Sequence, residues 1–336
     1  MITFLHGGMK TVKFLDGLLR IIPQEELSIV ANTINNIEVC GLEVYPDIEY
    51  LLFLLAGRLD TRYWETVKND TYSFMRSLAM SEGNDITYHT KRKKAFKGNT
   101  QEKSAIRLGD SLIFNTIYRD YLIKQGVPFS DAIRIIAEKM KIQASIVPVT
   151  DNKIKFEVTT NQGVLSFLEY RNQEIQGNIK EIKNIKFVGL EDAKVNPNAI
   201  ESLEKAHTIL IGPNNPPHNI LMCMDYLNPF KEIKEAIETA DCNVIAISPV
   251  VGDEPIDQPL KRLMEEVLGY GSTLINIAER YPGLIDTLII DESDGIHKEA
   301  IEEMGMEVIV TPLKLGTQES REKLARTVSK LIKNSL

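Results

Sequence analysis

Short apolar runs rich in β-branched residues alternate along this chain with longer stretches whose apolar residues recur every three or four positions. That alternation predicts an α/β fold with a mostly parallel sheet. ITFLHGG, at residues 2–8, reads as a strand running into glycine, and Phe14, Leu15, Leu18 and Leu19 continue it as one face of a helix. LSIVANT is a second buried strand, whereas YLLFLLAG, long and poor in β-branched residues, fits a helix better. Residues 61–80 have helix-compatible spacing. GNDITYHTKRKKAFKGNTQEK is polar and basic enough for an excursion, and SLIFNTIYRDYLIKQG and SDAIRIIAEKM return to helical patterning, with Ser130 or Asp131 as a cap for the second. ASIVPV, KIKFEVTT and VLSFLEY then carry β signals. HTILIGPNNPPHNI, NVIAISPVVG, LIDTLIIDESDG and MEVIVTP each run an apolar strand into a loop before a terminal helical stretch. The pattern divides the chain into a Rossmann-like, mostly parallel nucleotide-binding core, residues 1–60 and 190–336, and an inserted helical and β-rich lobe over the ligand cleft, residues 61–189. No repeat of solenoid period is present.

Composition narrows the classes. The chain has 336 residues, 43% hydrophobic and 26% charged, enough for a substantial core without disulfides. Its 39 Lys and Arg against 47 Asp and Glu leave a charge of −8, which argues against nucleic acid or an anionic membrane as partner. No apolar run reaches bilayer-spanning length. The opening MITFLHGG lacks an export pattern, and three scattered cysteines at 40, 223 and 242 form no disulfide framework, so a reducing cytoplasm is the expected location.

Candidate chemistry gathers at strand ends, where open α/β sheets bind ligands. Gly7 and Gly8 can expose backbone amides to phosphate with Lys10 assisting, although HGGMK matches neither a dinucleotide fingerprint nor a phosphate loop. Gly212, Pro213, Asn214, Asn215 and Pro216, together with Ser248, Pro249, Val250, Val251 and Gly252, form two turns able to surround a phosphorylated nucleotide. Asp47 and Glu49 stand at a helix entrance, suited to a divalent cation or a hydroxyl proton, or simply to capping. Arg107 and Asp110 flank Gly109 at another helix start: the arginine suits phosphate and the aspartate Mg²⁺, with helix initiation as the plain alternative. Lys91, Arg92, Lys93, Lys94 and Lys97 read as a solvated basic loop in preference to a substrate lid, and Asp291 and Asp294 as solvated loop carboxylates, with binding of metal or nucleotide hydroxyls at the strand end as the alternative. No zinc spacing, cysteine pair or histidine with an orienting partner is visible.

The ordered set HGGMKTVKFLDGL, VANTINNIEVCGLEVYPDIEYLLFLLAG, RLGDSLIFNTIYRDYLIKQG, IVPVTDNKIKFEVTTNQG, ILIGPNNP and VIAISPVVGDEPIDQPLKRLM resembles the 2-phospho-L-lactate transferase family of deazaflavin-coenzyme biosynthesis, across nearly the whole chain. The resemblance implies transfer of a phospholactyl or related group from a guanylyl-activated donor to a deazaflavin hydroxyl, with release of GMP and use of Mg²⁺. It also leaves room for a homo-oligomer. Asp47 matches the family's Pro–Asp element, Glu49 its following acidic position, and Arg107 the cation before the Gly109–Asp110 turn. Gly212, Pro213, Asn215 and Pro216 match its nucleotide-contacting loop, with Asn214 in place of serine, and Ser248, Pro249 and Gly252 match the next strand end. The resemblance therefore implies Asp47, Glu49, Arg107 and Asp110 as catalytic residues and Asp47 and Asp110 as metal ligands. Gly7, Gly8, Lys10, Gly212, Asn214, Asn215, Ser248 and Gly252 are the implied binding set. Met9 and Lys10 replace a threonine–glycine pair, and Asn35 and Asn36 stand in a commonly acidic segment. Amides hydrogen-bond but attract metal weakly, so the alternative is a guanine-nucleotide-binding protein with a degenerate transferase site.

Overall fold

The computed structural model describes residues 1–39, 41–81, 108–213, 230–254, 258–269 and 271–334. Its strands are β1 (Ile2–His6), β2 (Leu27–Ala31), β3 (Ile37–Val39), β4 (Leu42–Val44), β5 (Ser145–Pro148), β6 (Lys155–Thr160), β7 (Gly163–Ser166), β8 (Ile182–Val188), β9 (Thr208–Ile211), β10 (Asn243–Ile247), β11 (Thr287–Ile290) and β12 (Glu307–Val310). Among the described residues, seven of them form one sheet in the order β12-β11-β10-β9-β1-β2-β5, parallel throughout. The Rossmann-like reading therefore holds. β1, β2, β9 and β11 are buried at every position, which is why their apolar runs are continuous rather than alternating. Successive residues still divide between two cores: Phe4 and Ile29 face one, Leu5 and Val30 the other.

From β1 the chain steps outward to β2 and β5, then returns to the other side of β1 and proceeds through β9, β10, β11 and β12. The order reverses between β1 and β9, and the crevice beyond the carboxyl ends at such a switch point is where open α/β sheets place ligands. Helix α1 (Gly8–Leu18) follows β1 and packs against the terminal helix Gln318–Asn334. A Cβ on Gly17 would fall 2.5 Å from the Arg321 backbone oxygen, so glycine is what permits that contact.

Beyond the sheet lie the hairpin β3–β4, helices α2 (Pro46–Leu55), α3 (Ser73–Ser81), α4 (Asp110–Lys124) and α5 (Phe129–Lys139), and the antiparallel sheet β7-β6-β8. Residues 145–148, inside the stretch assigned to the lobe, form β5, the edge strand beside β2. SIVP is too short to be told from its β-rich neighbours by composition. Residues 61–72 are irregular: Trp64 and Asn69 take left-handed backbone angles, and Leu59 and Val67 bridge across the segment. VLSFLEY is strand only through Ser166. There Ser166 and Glu169 form a reciprocal capping box, and the helix Phe167–Ile175 begins. Neither Ser130 nor Asp131 caps α5; the Asp151 carboxylate instead receives the Ser130 backbone N–H at 2.8 Å. The basic excursion lies outside the described residues.

Candidate functional site at the β1–β2–β9 edge

The register explains what meets at the carboxyl edge. His6 is level with Ala31, and Leu5 with both Val30 and Ile211, so Gly7, Asn32 and Gly212 leave the sheet at similar height. Gly8 opens α1 with φ 73°, a conformation suited to glycine. Thr11 locks the turn by donating from its hydroxyl to the carbonyls of Gly7 and Gly8 at 2.7 and 2.6 Å. Gly212 fits against this helix for want of a side chain: a Cβ there would lie 2.2 Å from the Thr11 methyl.

Asp47 belongs to the same cluster. It lies on the first turn of α2, is 9% exposed, and its Oδ2 accepts from Asn32 Nδ2 and Asn35 Nδ2, each at 3.2 Å. Burial pushes its carboxyl from 3.8 up to about 6, opposed by the bonds from Asn35, Asn32 and the Gly8 backbone N–H. The Gly8 amide is thus turned toward Asp47. His6 Nε2 stands 3.1 Å from the Asp47 carbonyl oxygen, and because a carbonyl only accepts, Nε2 carries the proton. Burial lowers His6 to about 4 against that bond, so the ring is neutral at physiological pH. A buried carboxylate ringed by amide donors can receive a hydroxyl proton near neutrality.

The remaining sequence candidates divide. Glu49, two residues on, faces away from this cluster: it is 1% exposed and pairs with Arg119 at 2.5 Å, with Asn115 Nδ2 at 3.4 Å. Burial raises its carboxyl despite Arg119. Asp110 receives the Thr71 hydroxyl at 2.5 Å and the N–H groups of Ser73 and Phe74 at 3.0 and 3.1 Å, which makes it the cap of α3. Asp70 reciprocates, receiving the Ser111 N–H at 3.1 Å at the start of α4, and a Cβ on Gly109 would sit 1.9 Å from its Oδ2. Asp47 and Asp110 share no hydrogen-bonding partner in these two networks. Lys10 lies partly exposed on the first turn of α1; burial, then Lys10, lowers Lys13 to about 8. Arg107, Asn214, Asn215 and Pro216 lie outside the described residues.

The next strand ends are held by internal bonds. Ser248 is fully buried, and its hydroxyl accepts from the Val250 N–H at 3.0 Å. Gly252 and Asp253 both have left-handed angles, and their N–H groups converge on the Asp294 carboxylate at 2.9 and 2.6 Å. The nest that such a turn offers an anion is filled by the protein's own side chain. Asp291 receives the Ser293 and Leu313 N–H groups at 3.1 and 2.7 Å. Both aspartates are buried anchors rather than solvated loop carboxylates.

Among the described residues no group of three or more His, Cys, Asp or Glu is placed to hold a metal. The Asp47 carboxylate, held by Asn32 and Asn35, suits a cation that takes its remaining ligands largely from phosphate oxygens. Sequence reasoning missed Asn32 and Arg119. Asn32 was discoverable as the first residue beyond a strand buried at every position, whereas Arg119 looks like any surface charge.

A doubly wound sheet with a hydrogen-bonded acid beside its switch point defines a Rossmann-like protein with a ligand-binding edge. A family profile described as "2-phospho-L-lactate transferase CofD" matches residues 2–331, and the chain belongs to that family. It is 28% identical to the 2-phospho-L-lactate transferase of Methanococcoides burtonii, over 99% of this chain and 100% of that protein. It is also 28% identical to the Methanosarcina mazei 2-phospho-L-lactate transferase, over 98% and 99%. Among solved structures, a UPF0052-family protein of Bacillus halodurans superposes with a TM-score of 0.55 at 12% identity, covering 98% of each chain, a likeness of fold alone. No described helix is long and apolar enough to cross a membrane.

Proposed function

We propose that this chain transfers a phospholactyl or related group from a guanylyl-activated donor to the hydroxyl of a deazaflavin acceptor, releasing GMP. Family membership supports the reaction class. The observation that carries the reading is Asp47, a buried carboxylate titrating near neutrality beside the β1–β9 switch point. The donor's phosphates lie over the Gly7–Gly8 and Gly212 turns, where the absence of side chains lets backbone and ligand approach. The acceptor hydroxyl faces Asp47. Its oxygen forms a bond to the lactyl-bearing phosphorus, the bond from that phosphorus to the GMP oxygen breaks with its electron pair leaving on GMP, and Asp47 receives the hydroxyl proton. With a pKa near 6, about nine-tenths of Asp47 is ionised at pH 7 and ready as a base. Asn32 and Asn35 hold the carboxylate in position, and His6, neutral, fixes the backbone beneath it. A magnesium ion beside Asp47 would neutralise phosphate charge.

The test is incubation of purified protein with a deazaflavin alcohol, guanylyl-activated phospholactate and Mg²⁺. GMP and a phosphodiester product appear together if the reading is right. Saturable guanine-nucleotide binding without product, across donor and acceptor variants, would instead establish the degenerate-site alternative.

A further inference from the structure

Among the described residues one arginine is at 0% exposure, Arg119 of α4. Arg119 reaches across to the segment around Asp47. Its Nη1 pairs with Glu49 at 2.5 Å, and its Nη2 donates to the Glu43 carbonyl. Its guanidinium carbon lies 4.9 Å from the centre of the Tyr45 ring and 5.8 Å from that of Phe129, with those two rings 4.8 Å apart. Residues 43, 45 and 49 bracket Asp47 on both sides, so one planar group grips the end of β4, the turn before α2 and the first turn of α2.

A buried ion pair is a poor source of stability, since a well-packed apolar pair of the same volume often does as well. Here Arg119 Nε is left without a hydrogen-bond partner, which makes the arrangement costlier still. What an apolar pair cannot supply is direction: a planar fork fixes two acceptors and stacks on a ring at once. We propose that Arg119 is the positioning residue of the Asp47 site, holding β4, Tyr45 and the first turn of α2 as one unit so that the Asp47 carboxylate stands against Asn32, Asn35 and Gly8. This rests on the functional reading above only for its kinetic consequence; the geometry stands without it.

Two variants test it. Arg119→Lys keeps a cation near Glu49 but loses the fork and the stacking. Arg119→Met/Glu49→Met removes both charges and refills the volume. Amide hydrogen exchange at Ile48 and Glu49, whose N–H groups donate to the Tyr45 carbonyl at 3.0 and 2.9 Å, reads the first turn of α2 without any substrate. Once that turn loosens, exchange at these two amides speeds by about ten-fold or more in both variants. The double variant melts within a few degrees of the parent, and turnover falls about ten- to a hundred-fold with KM little changed. A double variant or Arg119→Lys that is folded and leaves exchange at Ile48 and Glu49 as it is in the parent overturns the proposal, because Arg119 is then structural only. Should the parent release no GMP, the transferase reading fails while the exchange rates still decide the role of Arg119.

Discussion

At the scale of single residues, the site is governed by two titrating groups that burial moves in opposite directions. Asp47 is raised from 3.8 to about 6, so the folded state holds its proton more tightly than the unfolded chain between those values. Its contribution to stability is complete below about pH 4 and is lost as pH rises through 6. His6, lowered from 6.5 to about 4, behaves conversely: its contribution is complete above 6.5 and is lost as pH falls through 4. An ionised Asp47 therefore destabilises the fold at neutral pH by up to about 3 kcal/mol, at about 1.36 kcal/mol per pH unit. Asp47→Asn, which keeps an acceptor for Asn32 and Asn35, is expected to raise the melting temperature at pH 8 and to lose that advantage by pH 4. Melting curves across this range check it; equal gains at both ends would mean that Asp47 is not buried as a charge. The sequence pointed to Asp47 through its place at a helix entrance, but nothing in it showed that Asn32 and Asn35 supply the donors, since they meet Asp47 only through the loop after β2.

At the scale of elements, α4 is where periodicity misleads. Its apolar residues Phe114, Ile117, Tyr118 and Tyr121 share one face, yet Phe114 is 64% and Tyr121 55% exposed, while Asn115, Thr116 and Arg119 are buried. The inward side carries Asn115, Thr116 and Arg119 beside Leu112 and Ile113, because Asn115 and Arg119 meet Glu49 and Arg119 the Glu43 carbonyl, and a rule that puts only apolar residues inside misses them. The same economy governs Asp110, whose position after Gly109 reads equally as a metal ligand or a cap. Its three internal bonds favour the cap, and α3 and α4 are clasped through the reciprocal Asp70 contact. Asp110→Ala is accordingly expected to lower unfolding free energy by about 1 kcal/mol, read from urea titration, with GMP release within a few-fold of the parent. Unchanged stability with abolished transfer would return Asp110 to the chemistry. Strands β1, β2, β9, β10 and β11 were legible because strands buried on both faces write mostly apolar runs, and the edge strand β12, exposed at Glu307 and Val310, through its β-branched run. β5 was legible as a strand in ASIVPV, but nothing local to it showed that it pairs with β2 in the parallel sheet; the start of helix Phe167–Ile175 was hidden by the apolar run VLSFL, although the capping pair Ser166 and Glu169 stood in the sequence.

At the scale of the whole molecule, topology brings the chemistry together. Because the strand order reverses between β1 and β9, turns some two hundred residues apart in sequence, at Gly7–Gly8 and Gly212, meet at one edge of the sheet, and the loop after β2 brings Asn32 and Asn35 onto Asp47 there. The loops after β10 and β11 share the same edge, where the Ser248 hydroxyl accepts from the Val250 N–H and the Gly252 and Asp253 N–H groups are taken up by Asp294, with Asp291 holding the Leu313 N–H. Strand ends could be located from sequence; which of them an internal carboxylate fills could not, because that depends on contacts between separate loops. The central claim is that Asp47 accepts the acceptor's proton at this edge, and GMP release by Asp47→Asn is its most direct measurement. The expected result is a loss of turnover of about 10²–10⁴-fold at pH 7.5 with donor affinity retained, while the parent's rate rises with pH through about 6. An Asp47→Asn protein that turns over within a few-fold of the parent, with the same pH profile, would contradict it.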